Sequence, residues 1–290
     1  MYKITQKDID NSDTDIFGEW INKTPELKEE FIGNQPFPHI LIKNFLQDHV
    51  IEKIYQELPE FNTDNSWFYN NPIEVKFAKD NLIDLHPVVQ NIFYALSHPK
   101  IVDKIESLTG IKDLEYDPLL HGGGLHGHPK NGRLMMHLDY EKHPILENKQ
   151  RRLNIILYLN KDWNKEWNGA TELWDKNMEN KIKEYNVIFN NALIFQTNED
   201  SWHGVPEKIT CPDDVFRKTL AYYYVSPLIN EDNKNKIGAG NSGFREKACF
   251  TMRPTDIQDP RILKLLSIRP IRRITEDDMN EIYPEWNINT

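Results

Sequence analysis

Cysteine is nearly missing from this chain: Cys211 and Cys249 are its only two, too few for a disulfide framework and without the paired spacing of a zinc site. Long hydrophobic runs are also missing. No uninterrupted apolar stretch exceeds about six residues, against the roughly twenty that a membrane-spanning helix needs. The opening residues, Met1 to Asp8, hold neither an apolar segment nor a small-residue cleavage site, so neither a secretory signal nor a membrane association is expected, and a cytoplasmic location follows. Positive charge is in deficit, with 35 Lys and Arg against 45 Asp and Glu and a net charge of -10. That balance excludes a general nucleic-acid partner, which needs a basic footprint to displace counterions from phosphate. One local exception runs from Arg245 to Arg273, where eight basic residues meet three acidic ones; it reads as a solvated surface more readily than as a face for an anionic substrate.

What is present is an ordinary globular composition, 39% hydrophobic, with a mean hydropathy of -0.67 and a length of 290 residues that suits one domain with a large core. Residues 1–111 are expected to form an N-terminal helical support. Its first part is polar, with Ile16, Phe17, Trp20, Ile21 and Phe31 as anchors, and Phe37 to Phe45 reads as a strand. Val50, Ile51, Ile54, Tyr55 and Leu58 recur at helical spacing until Pro59. A second helix opens at Pro87 with Val88, Val89, Ile92, Phe93 and Leu96 on one face, and a third runs from Pro99 to a cap at Gly110. The cluster Trp67-Phe68-Tyr69 reads as core or as a loop anchor.

From Ile111 the texture changes to short runs of β-branched, aromatic and leucine residues separated by Gly, Asn, Asp and Pro. The expected strands are 113–120, 133–140, 152–159, 169–175, 185–190, 191–197, 202–205 and 216–225. Eight short strands fit a mainly β fold with flanking helices and a double-stranded β-helix, or jelly roll, as its core over residues 112–227. Residues 228–290 form a C-terminal extension in which Asn230 to Gly243 and the Arg253 region are expected to act as a lid, with short helices over 259–267 and 276–282.

The chemistry concentrates in two places. Successive strand residues alternate between faces, so His137 and Asp139 project together while Leu138 points away. With His203 they would make two imidazoles and one carboxylate around a metal, leaving the opposite positions open, the arrangement expected of a non-haem Fe(II) oxygenase. His143 competes as a ligand, but Pro144 after it favours a turn. On a later strand Arg217, Thr219, Ala221 and Tyr223 share one face. If that face looks inward, the guanidinium fork can take a carboxylate and the Thr219 hydroxyl can add a hydrogen bond. The stretch His121 to Pro129 reads as a glycine-rich loop at the barrel mouth, with His126 or His128 as hydrogen-bonding groups. Arg133, Tyr140 and Trp174 join His126 as candidates for substrate contact.

The order Leu134 to Asp139, Arg152 to Trp163, Asn168 to Trp174, Ala192 to Phe195, Trp202 to Pro206 and Arg217 to Tyr224 resembles the 2-oxoglutarate and Fe(II)-dependent oxygenases of the prolyl-hydroxylase-like group, over about residues 112–227 and more weakly over Phe37 to Leu46. The resemblance implies that His137, Asp139 and His203 hold Fe(II), and that Arg217 and Tyr158 hold the far carboxylate of 2-oxoglutarate. Thr210 to Asp214 lengthens the interval between His203 and Arg217 beyond what is usual in the group, and Lys208 and Lys218 are the alternative anchors. It further implies O2 as co-reactant, ascorbate as an additional cofactor, and hydroxylation of an unactivated C–H bond of a small-molecule or peptidyl substrate with release of succinate and CO2. Two other readings share the metal site: a jelly-roll protein that binds metal or a small ligand without turnover, and a cupin-type metalloenzyme that uses no oxoacid.

Overall fold

A computed structural model describes residues 3–228, 245 and 247–286. Its centre is one long, curled, wholly antiparallel sheet whose strands all pair without a parallel crossover. The longest partners are β7 (Lys149–Tyr158) and β12 (Arg217–Pro227). Both read as near-continuous apolar and aromatic runs, as strands buried on both faces do. Leu153, Ile155 and Leu157 of β7 and Leu220, Tyr222 and Tyr224 of β12 join the hydrophobic core on the outer side. Asn154 and Ile156 of β7 and Arg217, Thr219, Ala221 and Tyr223 of β12 line a pocket on the inner side. The face of β12 that carries Arg217 and Thr219 is therefore the inward one.

The sheet continues from β7 to β10 (Ala192–Gln196) and β1 (His39–Ile42), and from β12 to β5 (Gly124–His128). Beyond β5 it passes through β3 (Glu74–Lys79) to β6 (Arg133–Leu138), β11 (His203–Val205), β8 (Thr171–Trp174) and the edge strand β9 (Lys181–Tyr185). The two ends curl over one another as a double-stranded β-helix, a jelly roll with flanking helices. Short additions complete it: β2 (Trp67–Asn71) pairs with β3, β4 (Glu115–Tyr116) with β12, and β13 (Cys249–Phe250) with β6.

Three sequence expectations are corrected here. The stretch His121 to Pro129 is not a loop at the mouth, because Gly124–His128 is the buried strand β5 between β12 and β3. Glycine lets it lie there: Gly124 has φ +102°, and a Cβ at this position would stand 2.1 Å from the Lys79 carbonyl oxygen. Trp67 to Tyr69 belongs to a hairpin strand and not to a loop, though the core reading holds for Phe68, which packs against the core and stacks on Phe77 at 4.2 Å between ring centroids. The strand expected over 185–190 lies instead at β9, where an exposed Lys-Ile-Lys-Glu-Tyr alternation pairs with β8 across the Asp175–Asn180 turn. An edge strand open to solvent carries no apolar run to mark it.

The outer face of β7 and β12 is covered by helices. α4 (Pro87–Ser97) and α5 (Pro99–Thr109) start and stop where the sequence indicates, with prolines in their first turns and Gly110 at φ 75° after the second. Val89, Ile92, Phe93 and Leu96 are completely buried, and each full burial of this kind stabilises by about 1.5–3 kcal/mol. α3 (Asp48–Gln56) buries Ile51 and Ile54. α1 (Gln6–Asp10) and α2 (Thr24–Gly33) carry too little apolar periodicity to be expected, and Ile9 and Phe31 anchor them. The C-terminal α6 (Pro260–Ile268) and α7 (Glu276–Ile282) fall where expected and pack Leu265, Met279 and Ile282 with Phe250 against Ile73 and Met135. The proposed lid segment Asn230 to Gly243 lies outside the described residues.

Helices and sheet are also tied by polar contacts. The Tyr224 hydroxyl donates to the Leu96 carbonyl at 2.7 Å, and Tyr222 and Ser97 hydroxyls lie 2.7 Å apart, all in the dry interior. Tyr224→Phe leaves that carbonyl without its phenol partner and is expected to cost about 1–3 kcal/mol of stability. Urea denaturation measures it, and an unchanged midpoint would show that the bond contributes nothing net.

Candidate active site

His137 is the penultimate residue of β6 and His203 opens β11, and the two are direct cross-strand partners. Asp139 follows β6 by one residue on the same side as His137. Each residue offers a ligand atom, and these atoms all lie within 4.8 Å of one another. His137 Nε2 stands 3.9 Å from Asp139 Oδ1, and His203 Nε2 stands 3.8 Å from Asp139 Oδ2. The three groups are buried.

The protonation states suit a cation. His137 Nδ1 lies 3.0 Å from the Met135 carbonyl and His203 Nδ1 2.9 Å from the Ser201 carbonyl. A carbonyl only accepts, so each Nδ1 carries the proton and each Nε2 presents its lone pair inward. Burial holds the His137 ring well below the usual histidine range and lowers His203 as well. At Asp139 burial alone would favour the neutral acid, but the Arg151 guanidinium outweighs it and holds the carboxyl below its ordinary value. Two neutral imidazoles and an ionised carboxylate form a donor set that fits Fe(II). Phe250 stacks on His137 at 5.0 Å and Phe195 leans on His203 at 4.6 Å, fixing both rings.

Arg151 is a site residue that sequence reasoning passed over. Its Nη1 lies 3.0 Å from Asp139 Oδ1, its Nη2 donates to the His121 carbonyl at 2.8 Å, and its guanidinium is sandwiched between the Tyr140 and Tyr223 rings at 3.6 and 3.3 Å. Strict alternation along β7 would put Arg151 with Leu153 on the helix-covered face. The register shifts at this point: Tyr224 pairs with Leu153, but Val225 pairs with Arg151, so Arg152 is an extra residue. Such a bulge re-aims the residues beyond it, and Arg151 turns into the pocket. Asn154 Nδ2 adds a hydrogen bond to Asp139 Oδ2 at 3.3 Å.

Beyond the triad the pocket holds Arg217, only 2% exposed. Nε donates to the Gly169 carbonyl at 2.6 Å and Nη2 to Thr171 Oγ1 at 3.0 Å. Gly169, at φ +88°, makes room, since a Cβ there would stand 3.1 Å from Arg217 Cδ. Among the described residues no carboxylate pairs with Arg217, and burial lowers its pKa to about 10. Thr219 joins it in the wall. Tyr158 stands behind, its hydroxyl donating to Thr171 Oγ1 at 2.9 Å, so it meets the pocket through Thr171, a wall residue that sequence reasoning also missed. Lys218 lies on the other face of β12, half-buried, with its backbone N–H bonded to Asn160.

Of the residues named for substrate, His126 lines the pocket, whereas Arg133, Tyr140 and Trp174 are not part of its wall. Tyr140 braces Arg151 and donates to the His121 carbonyl at 3.0 Å. Trp174 packs with Met136 and Met178, and half-buried Arg133 on β6 has Asp256 and Arg253 for neighbours. His143 belongs to a separate buried pair with Asp117 at 3.2 Å, its Nδ1 accepting from the backbone of Ile145 and Leu146. In the basic C-terminal stretch, Arg253 is tied to Glu207 at 2.6 Å and Asp256 at 2.8 Å, and Arg245 to Glu141 at 2.7 Å. Arg269 reaches the pocket wall while 3.5 Å from Glu74.

Residues 123–225 match the model of the 2OG-Fe(II) oxygenase superfamily, so the jelly roll is an oxygenase domain of that superfamily, prolyl-hydroxylase-like in fold. The protein is thus an Fe(II)- and 2-oxoglutarate-dependent oxygenase, and its cofactors are that metal and that cosubstrate. No curated protein sequence matches the chain. Among solved structures, a prolyl hydroxylase from Trichoplax adhaerens, in complex with a peptide fragment of a hypoxia inducible factor oxygen degradation domain, is similar at 18% identity and a TM-score of 0.54, covering 72% of this chain and 94% of that one. A prolyl-4-hydroxylase from Pseudomonas putida matches at 13% identity and a TM-score of 0.49, covering 69% and 97%. HygX from Streptomyces hygroscopicus, with nickel, 2-oxoglutarate and hygromycin B bound, matches at 12% identity and a TM-score of 0.41, covering 70% and 90%.

Removing the group that holds a ligating carboxylate typically lowers metal affinity about 10–100-fold. Arg151→Met is expected to weaken anaerobic Co(II) or Mn(II) binding by that factor, with Arg151→Lys recovering part. Wild-type affinity in Arg151→Met would show that Asp139 needs no such support.

Proposed function

We propose that the protein hydroxylates an unactivated C–H bond of a small-molecule or peptidyl substrate, releasing succinate and CO2. His137, Asp139 and His203 hold the iron in this reading. Arg217 takes the far carboxylate of 2-oxoglutarate, with Thr219 beside it and Tyr158 and Thr171 supporting the guanidinium from behind. The observation that carries the proposal is the fully enclosed Arg217, which lacks an acidic partner among the described residues and shares one pocket with the triad. An uncompensated buried cation is costly unless an anion joins it. Neither a passive metal-binding jelly roll nor a metalloenzyme without an oxoacid needs a dicarboxylate anchor next to its metal.

Bound iron, with 2-oxoglutarate and O2, supplies the oxidant that removes hydrogen from the substrate. The chain contributes the rest. The backbone carbonyls of Met135 and Ser201 keep each ligating ring in one tautomer, and Arg151 keeps Asp139 ionised through turnover. Ile156, Leu134, Val205 and Phe250 in the wall exclude water. A wider groove lined by β2 and α7 shares Tyr69, Glu74 and Arg269 with the pocket, and we assign it to the substrate.

The whole chain acts in this proposal as one catalytic unit. Residues 1–111 brace the back of the jelly roll with their helices and also lend it β1 to β3 and the pocket residues Tyr69, Glu74 and Lys76, 112–227 form the rest of it, and the C-terminal extension supplies Phe250 and Arg269 to the pocket. No described helix is long and apolar enough to cross a membrane, and Cys211 and Cys249 are both free thiols, which supports a reducing, cytoplasmic setting.

Purified protein is expected to convert 2-oxoglutarate to succinate only with Fe(II), and Ala at His137, Asp139 or His203 to abolish it. Arg217→Ala should raise the KM for 2-oxoglutarate steeply, by about 2–5 kcal/mol or roughly thirty-fold to several-thousand-fold, with metal binding retained. Arg217→Lys recovers only part, since a point charge does not reproduce the fork. Absence of succinate from the metal-loaded wild type would return the protein to a metal-binding role.

A further inference from the structure

His128 occupies the last position of β5, and its cross-strand partner on β12 is Arg217. Both side chains line the same pocket. The imidazole is 2% exposed, and among the described residues neither Nδ1 nor Nε2 has a hydrogen-bond partner. That sets it apart from the other buried rings. His137 and His203 are bonded to backbone carbonyls, His126 to the backbone of Gly123, His143 to Asp117, and His39 to Phe37 and Tyr185. A buried polar ring left wholly unpaired is rare, and it marks a place where something from outside the chain completes the bonding.

The surroundings state what that is. Burial, then the charges of Arg217 and Lys76, disfavour a further positive charge at His128 and keep the ring neutral. A neutral imidazole always carries one N–H. Its charged neighbours repel a cation, and His128 is not one of the residues grouped around the candidate metal. An anion drawn by Arg217 is the acceptor that fits.

We propose that His128 donates a hydrogen bond from its imidazole to the carboxylate of 2-oxoglutarate that Arg217 anchors, so that the far end of the cosubstrate is held by a guanidinium and an imidazole together. This rests on the cosubstrate reading above. It assigns His128 to cosubstrate selection and not to the substrate contacts for which the His121 to Pro129 stretch first suggested it.

The test compares two oxoacids on Mn(II)-loaded protein under anaerobic conditions by titration calorimetry: 2-oxoglutarate, and 2-oxopentanoate, which keeps the oxoacid but lacks the far carboxylate. Failure of wild-type protein to bind 2-oxoglutarate would overturn the underlying reading itself. If wild type binds, His128→Phe is expected to weaken 2-oxoglutarate about ten- to a hundredfold, the range for a hydrogen bond to a charged group, and to leave 2-oxopentanoate unchanged. His128→Asn, which keeps a donor, should recover part of the loss. Equal weakening of both oxoacids would mean that the ring only packs, and no weakening would mean that it makes no bond; either overturns the inference. Should the variants fold poorly, wild-type Zn(II)-loaded protein labelled with 15N-histidine answers the same question. One additional imidazole N–H should become protected from exchange with 2-oxoglutarate and not with 2-oxopentanoate, and its absence overturns the proposal.

Discussion

The pairing of β7 with β12 is the constraint on which the molecule depends. Two long strands, buried on both faces, present leucine, isoleucine and tyrosine to the helices on one side and Asn154, Ile156, Arg217, Thr219 and Tyr223 to the pocket on the other. A slip of one residue would exchange the faces, placing Arg217 in the hydrophobic core and Leu220 in the pocket. The anchoring of Tyr222 and Tyr224 to α4 resists such a slip, because their hydroxyls find Ser97 and the Leu96 carbonyl only in this register. Packing of the helices thereby sets the position of a polar group on the opposite side of the sheet.

Two buried arginines in the pocket show how partners define role. Arg151 is neutralised inside the chain by Asp139 and clamped by two tyrosine rings, so it belongs to the permanent structure. Arg217 is held by a carbonyl and a hydroxyl that orient it without cancelling its charge. Breaking a buried ion pair is costly because it strands the remaining charge, and folding a chain around an unpaired one is costly for the same reason. Among the described residues the second situation persists here beside a neutral His128 whose nitrogens find no hydrogen-bond partner, and both deficits point into one cavity.

Much of the architecture was legible in one dimension. The helices α4 and α5 were bounded by their prolines and Gly110, and α3 was marked by its apolar spacing, since capping and periodicity are local properties. The edge strand β9 and the β5 strand were not, because one has no apolar run and the other reads as glycine-rich turn. Glycine in β5 answers a long-range need, the approach of the Lys79 carbonyl, which no local pattern announces.

At the site, the sequence by itself determined which residues could meet: His137 and Asp139 share a face by strand alternation, and Arg217 and Thr219 share another. Only the tertiary structure decided that His203 comes across from β11 to face His137, and that Tyr158 works through Thr171. It alone turned Arg151 inward to Asp139 and left His128 without a partner among the described residues. The physical reason is that alternation is a property of one strand, whereas a bulge, a cross-strand neighbour and an unmet hydrogen bond are properties of pairs of segments far apart in the chain, and exist only once the sheet has closed.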